Sequence, residues 1–326
     1  MSLPVDFYDQ LSLPVLCSPM FIVSGPELVF AQCVNGVIGS FPALNARPQP
    51  VLDEWLAKLN QDLAAHKESN PGLKVAPYAV NQIVHTSNAR LEDDFAILEK
   101  HRVPMVITSL RAPNEFVPRI HEWGGLVFHD VTNLRHAEKA LEAGVDGLIL
   151  VCAGAGGHAG KLNPFALVSE VRRIYDGPIA LSGSITRGEH ILAALAMGAN
   201  LAYIGTRFIA TQEANANPAY KQMIVDSSAS DVVYTSYFSG TNGSYLRRSI
   251  EAAGLNPDSL IREAGETATM VFATGDDTRK VGTKAWKDIW SAGQGVGGID
   301  DIPTVHELLV RMKKEYGAAN ERVQRL

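Results

Sequence analysis

LVFHDVTNLRHAEKALEAGVDGLILVCA, residues 126–153, holds the pattern on which the fold turns. It begins with a short apolar run, LVFHDV (126–131), and ends with another, GLILVCA (147–153). Between them lies NLRHAEKALEAG (133–144). Asn133 is placed to cap a helix and Gly144 to stop one, while Leu134, Ala137 and Leu141 mark an apolar stripe. Continuous apolar runs of this length are what parallel strands buried on both faces look like. The stretch therefore reads as strand, helix, strand.

The same rhythm extends in both directions. Six further strand-like runs are PVLCSPM (14–20), VIGSF (37–41), KVAPYAVN (74–81), MVITSL (105–110), IALSGS (179–184) and LAYIGTRF (201–208). Helix-like segments such as RLEDDFAILEKHR (90–102) and RGEHILAALAMG (187–198) lie between them. Eight such runs point to an α/β fold, a (β/α)8 TIM barrel. A doubly wound open sheet is the competitor, and periodicity alone does not separate the two. The count of eight favours the barrel, as does the lack of a strand–GxGxxG–helix unit near the start.

The eighth run ends at Phe208, leaving more chain than a plain barrel needs. Residues 1–210 and 288–326 are expected to form the barrel, the last segment returning to it as a helix over IPTVHELLVRMKKEYGAANERV (302–323). Residues 211–287 are expected to form a smaller, mainly helical domain near the barrel mouth. That stretch is rich in small and polar residues at SSASDVVYTSYFSGTNGSYLRR (227–248) and helical in pattern at SLIREAGETATMVFA (259–273). Its aromatic group, Tyr234, Tyr237, Phe238 and Tyr245, fits local packing better than a substrate cover. Trp286 and Trp290, four apart, fit a helix staple.

Composition narrows the function. Hydrophobic residues make up 46% of the chain and charged residues 20%, a balance that supports a large core. The net charge is -6 and no basic block appears, which argues against nucleic acid and anionic membrane as partners. RMKKEY (311–316), the densest basic patch, reads as a solvated helix face. Cys17, Cys33 and Cys152 make neither a disulfide framework nor metal-type spacing, so a reducing, cytoplasmic setting fits. No signal-like N-terminus and no bilayer-length apolar run is present.

Barrels place their active sites at the C-terminal ends of the strands. That rule selects Ser18, Pro19 and Met20 after the first run and Asn81 at the end of the third. It also selects the glycine-rich 154–160 loop with His158 after the sixth. Ser182, Gly183 and Ser184 end the seventh run, and Gly205 and Thr206 lie in the eighth. Small residues and hydroxyls in the last two loops suit a phosphate group. Glycine lets a backbone approach a flat ligand closely. His158 reads either as a structural or helix-capping residue or as a general base or hydrogen-bond donor at a ligand. No second ligand at metal spacing accompanies it. His129 and Asp130 either orient a ligand or cap the next helix, and an ionised Asp130 would disfavour a nearby anion.

AGGHAG (155–160) resembles the AGGHxG motif of the nitronate monooxygenases, formerly 2-nitropropane dioxygenases. These are FMN-dependent (β/α)8 barrels, and the family also includes FMN-dependent enoyl-ACP reductases. The likeness covers most of 14–210 and resumes at WSAGQGVGGIDD (290–301). It implies FMN as cofactor and His158 as the catalytic base, removing an α-proton from a nitroalkane or holding a nitronate anion. An imidazolium would serve the second role and a neutral imidazole the first.

By the same matching Ser18, Pro19 and Met20 line the flavin ring, Asn81 bonds to it, and Gly156 and Gly157 pass close by. Ser182, Gly183, Ser184, Gly205 and Thr206 hold the phosphate, and Gln294 and Gly295 return to the cofactor. The chain departs from the pattern in three places. Ser184 replaces a glycine, so a positive φ there would cost more. Asp130 stands where relatives often carry lysine. The first loop is SPMFIVSGPEL rather than glycine-rich.

The resemblance implies a flavin oxidoreductase that uses O2 to turn alkyl nitronates into carbonyl compounds and nitrite. The alternative is an NAD(P)H-dependent reductase of an enoyl thioester or quinone. A third is a non-catalytic barrel that binds a phosphate-bearing ligand. Small-molecule substrate and O2 are the partners expected, with a homodimer as the only macromolecular association considered.

Overall fold

The computed structural model describes residues 5–260 and 289–325. The predicted runs become β1 (Val15–Cys17), β2 (Gly39–Pro42), β3 (Tyr78–Val84), β4 (Met105–Leu110), β5 (Leu126–Val131) and β6 (Gly147–Val151). After a two-residue strand, β7 (Gly157–His158), come β8 (Ile179–Ser182) and β9 (Leu201–Ile204). All but β7 pair in parallel in the order β1-β9-β8-β6-β5-β4-β3-β2. The ring closes through a parallel bridge between Leu16 and Ile38. There Cys17 N–H donates to Ile38 O (2.8 Å) and Ile38 N–H to Val15 O (3.0 Å). Closure satisfies the backbone groups that an open sheet would leave at its two edges. The barrel, not the open sheet, is the fold.

Alternation explains why the runs are apolar throughout. Leu16, Ile38, Ala79, Ile107, Phe128, Ile149, Ala180 and Leu201 fill the barrel interior as one cluster. Their neighbours Cys17, Val80, Val106, Val127, Leu148, Leu181 and Ala202 belong to the larger cluster beneath the surrounding helices.

The helices form where caps and stripes place them. Asn133 Oδ1 accepts from His136 N–H (2.9 Å) at the head of Leu134–Glu142, and Gly144 follows its end at φ 84°. Leu91–Lys100 and Gly188–Ala196 fall inside their predicted segments. The last helix, Val305–Gln324, starts with a Thr304–Glu307 capping box. It buries Leu308, Leu309 and Met312, and its Glu315 accepts from Gly188 N–H (2.8 Å).

Two strand ends differ from expectation. β3 runs past Asn81 to Val84, because Ile83 and Val84 pair with Ser109 and Leu110. Asn81 is therefore mid-strand. β9 stops at Ile204, and Thr206–Ile209 turns into a short helix with Phe208 N–H bonded to Gly205 O (2.8 Å).

Beyond residue 210, helices Pro218–Val225 and Arg247–Ala252 flank β10 (Val232–Thr235) and β11 (Gly243–Leu246). β11 pairs antiparallel with both β10 and β7, so this segment is joined to the strand that carries His158. Phe238, Tyr245, Ile250 and Ile289 form a small core, with the Phe238 and Tyr245 rings edge-on at 4.9 Å. Tyr234 is 38% exposed. Past Leu260, the predicted helix at 259–273 lies outside the described residues, as does Trp286. Among the described residues no helix is long and apolar enough to cross a membrane.

Candidate active site

One layer above the apolar interior, the inward positions turn polar. Asn81 follows Ala79 on β3, Ser109 follows Ile107 on β4 and Asp130 follows Phe128 on β5, each two residues on and so on the same face. They form a ladder. Asn81 Nδ2 donates to Ile107 O (3.0 Å) and to Ser109 Oγ (2.8 Å), and Ser109 Oγ donates to Asp130 Oδ2 (2.6 Å).

Asp130 Oδ1 is buried and has no hydrogen-bond partner among the described residues. Burial pushes this carboxyl up to about 6, against the opposing pull of the Ser109 hydroxyl. From β9, the Tyr203 phenol lies near Asp130 and Ser18. Burial raises it well above its ordinary range, so it stays neutral.

His129 behaves differently from its neighbour. It points outward beneath the helices, with Nδ1 2.8 Å from Thr108 Oγ1, and burial pushes it down to about 4. It is a packing residue, and Asp130 alone of the pair reaches the mouth. Ser109 and Tyr203 were not among the residues selected from sequence. Each was visible there as a polar group in an apolar run.

His158 is held from outside the barrel. The loop after β6 folds on itself through Ala153 N–H to Leu162 O (2.8 Å) and Gly160 N–H to Val151 O (3.2 Å). His158 then faces Gly243 of β11 in the antiparallel register. Its Nε2 lies 2.9 Å from Ser239 Oγ, and Ser239 Oγ donates to Thr241 O (2.9 Å). With that proton committed, Ser239 Oγ is placed to accept from the imidazole. Burial pushes the imidazole down to about 4. The neutral ring is therefore favoured near pH 7 over the imidazolium.

The remaining predicted positions converge on the same end of the barrel. Ser182 ends β8, and Gly183 and Ser184 follow at φ 127° and 56°. Both residues therefore leave the extended path of β8, and the chain turns sharply at the strand end. Ser184 adopts the left-handed conformation that favours glycine, at a cost of about 1–2 kcal/mol.

Thr206 Oγ1 accepts from Gly293 N–H (2.9 Å), and Gln294 N–H donates to Gly154 O (3.0 Å). A Cβ on Gly156 would lie 2.9 Å from Gly293 N, so only glycine allows this approach. Gly157 N–H donates to Ser291 Oγ (2.7 Å), which donates on to Ser244 O (2.6 Å). Gly295 packs against Ser184. Across the mouth Ser18 and Met20 sit beside Gly205, with Pro19 half-buried between them. Asn45 clamps that loop, donating to Met20 O (3.0 Å) and Ser24 O (2.7 Å).

These features fit a flavin. Gly157, where an added Cβ would meet nothing within 4 Å, and the turn at 183–184 leave room for a ligand at one side of the mouth, whereas Gly154 and Gly156 pack closely against Ser184, Thr206 and the 293–294 segment. The orphaned Oδ1 of Asp130 provides an unused polar atom at the other.

Comparison with known proteins agrees. The nitronate monooxygenase family profile matches residues 57–315. A nitronate monooxygenase of Paraburkholderia phytofirmans is 26% identical over 280 residues, 76% of this chain and 76% of that protein. An octahydro-indene-carboxyl-CoA dehydrogenase of Rhodococcus jostii is 25% identical, covering 91% of this chain and 90% of its own length. The structure of FabK from Thermotoga maritima superposes with a TM-score of 0.76 at 25% identity, over 99% of both chains. With the closed barrel, the convergent mouth and a profile match over most of its length, the chain is a flavin-dependent oxidoreductase and belongs to the nitronate monooxygenase family.

Proposed function

We propose that this protein uses FMN to oxidise alkyl nitronates, and nitroalkanes through them, with O2 to a carbonyl compound and nitrite. The observation that carries the proposal is the state of His158, a buried neutral imidazole whose Nε2 is held by Ser239. The neutral ring accepts the α-proton of a nitroalkane, and the resulting imidazolium is stabilised by the nitronate anion formed beside it. Ser182, Gly183, Ser184, Gly205 and Thr206 would hold the FMN phosphate. Ser18, Pro19, Met20 and Asn81 would line the ring, with Gly156 and Gly157 at close backbone approach and Gln294 and Gly295 closing the cradle. When bound, FMN supplies the electron chemistry, while the protein supplies position and a dry site. The segment 211–287 acts as a smaller unit at the mouth, reaching the site through Ser239 on its β10–β11 connection.

A second reading is an oxidoreductase of acyl thioesters that exchanges electrons with NAD(P)H. It draws support from the carboxyl-CoA dehydrogenase name of the Rhodococcus relative and from the match to FabK. Anaerobic mixing decides between them. Bleaching of the flavin absorbance by propane 2-nitronate supports the first reading. Bleaching by NADH or NADPH, with none by nitronate, replaces it with the second.

A further inference from the structure

The loop after β1 holds one residue in a conformation that its own side chain opposes. Ile22 lies at φ 68°, in the left-handed region, and among the described residues it is the one β-branched residue at positive φ. A branched Cβ crowds the backbone there, so the conformation persists only where neighbours impose it. Both backbone polar groups of Ile22 are pinned by side-chain amides. Its N–H donates to Asn45 Oδ1 (2.9 Å), and its carbonyl accepts from Asn215 Nδ2 (3.1 Å). Asn45 Nδ2 holds Met20 O and Ser24 O on either side, and Ser24 N–H closes the turn onto Met20 O (2.9 Å).

Burial does not explain this arrangement. The Ile22 side chain is 42% exposed, and Phe21 beside it is exposed too, with the Arg47 guanidinium 5.2 Å from its ring centre. Position does explain it. In the ring order β1-β9-β8-β6-β5-β4-β3-β2, β2 stands four places from β6 in either direction, so the ends of these two strands face each other across the mouth. Asn45 follows β2 and His158 follows β6. The residue that Asn45 pins therefore stands on the rim opposite the histidine. A nitronate has one polar end and one apolar end. With the polar end at His158, the alkyl chain runs toward the far rim, where the fold presents Phe21 and Ile22.

We propose that Ile22 is a specificity-determining residue, an apolar rim contact for the alkyl chain of the substrate, and that the site prefers nitronates with chains of several carbons to the smallest ones. The proposal rests on the nitronate reading above and deepens it by naming the substrate class.

The test is oxygen consumption by the FMN-loaded enzyme with preformed ethyl, butyl and hexyl nitronates. A fully buried methylene is worth about 4-fold and a half-exposed one about 2-fold, so kcat/KM should rise about 15-fold from ethyl to hexyl, mostly through KM. The hexyl-to-ethyl ratio is taken within one protein, so differences in the amount of folded or flavin-loaded enzyme cancel. Ile22→Asn keeps a residue that tolerates the left-handed backbone but replaces apolar surface with an amide, and its ratio should fall at least about 3-fold. Ile22→Leu keeps the apolar surface and should retain the ratio. Val310→Asn, at an exposed apolar position on the outer helix Val305–Gln324, is the control and should retain it as well.

A wild-type ratio near one overturns the proposal and leaves the nitronate reading standing. So does an unchanged ratio in Ile22→Asn, or an equal loss in Ile22→Leu or in Val310→Asn. No oxygen uptake with any of the nitronates overturns the nitronate reading and this proposal with it.

Discussion

The two titratable side chains of the mouth are held in opposite ways. Asp130 is part of a ladder built by three neighbouring barrel strands, Asn81 to Ser109 to Asp130, in which each rung follows from strand register. His158 sits on a two-residue strand outside the ring, and its partner Ser239 is 81 residues away in the added segment. Desolvation is the largest influence on both groups and drives each toward neutrality, the acid up to about 6 and the imidazole down to about 4. The lesson is that one physical term, desolvation, moves an acid upward and a base downward in the same mouth. The scaffolds differ, and so should their responses to damage.

The sharpest way to break this comparison is at His158. His158→Asn should lower kcat/KM for a neutral nitroalkane by about 10²–10⁴-fold, the usual worth of a positioned base. Loss with the preformed nitronate should be much smaller, and the flavin should remain bound. Steady-state kinetics with both substrates, alongside the flavin spectrum, check this, and equal losses would remove the base role.

Stability against pH sharpens the contrast further. The Asp130 carboxyl binds its proton more tightly folded than unfolded, near 6 rather than the unfolded value of about 3.9. Its stabilising contribution is complete below about pH 4 and is lost as pH rises through about 6, to the extent of about 3 kcal/mol. His158 has the reverse sign. Its neutral form is favoured by folding, so its contribution is present above about pH 6.5 and lost as pH falls toward 4, with buried His129 acting in the same sense. In wild type the two trends oppose each other. Asp130→Asn should therefore grow more stable relative to wild type by about 2 kcal/mol from about pH 4 to pH 7, measured by urea unfolding. Parallel curves would show that the carboxyl ionises equally in both states.

A smaller effect is expected at the anchor of the histidine strand. Ser291→Ala strands Gly157 N–H and Ser244 C=O, both satisfied by the Ser291 hydroxyl, at a cost of about 1–3 kcal/mol. Hydrogen exchange should rise at 157–158 and stay unchanged on β3–β5. Equal loosening of the ladder would mean that the two regions are one cooperative unit. The smallest change is expected at Ser184→Gly, which relieves a left-handed φ of 56° worth about 1–2 kcal/mol and gives part of it back in unfolded-chain entropy. The thermal midpoint should rise slightly or hold.

Much of the barrel was legible because each strand announces itself locally. Asn133 and Gly144 bound their helix as expected, and the eight runs became the eight strands. Where the reading slipped, pairing was the cause. β3 extends to Val84 because β4 offers partners, and LAYIGTRF breaks at Gly205 although Phe208 and Ile209 suit a strand. Ser184 was read as a position where positive φ would cost more, and the structure places it at φ 56°. His129 and Asp130 were read as a pair because they are adjacent, whereas alternation sends one beneath the helices and the other into the mouth.

By itself the sequence determined the number of strands, the glycine-rich approach at 154–157 and the chemical types gathered at the strand ends, since these depend on spacing and composition along the chain. Tertiary structure alone decided that Ser109 would serve Asp130, that Ser239 would meet Nε2 of His158, and that one buried oxygen of Asp130 would have no partner among the described residues. The physical reason is that hydrogen bonding and desolvation depend on which side chains share a buried volume. In a closed barrel that is set by register and closure between segments far apart in the chain.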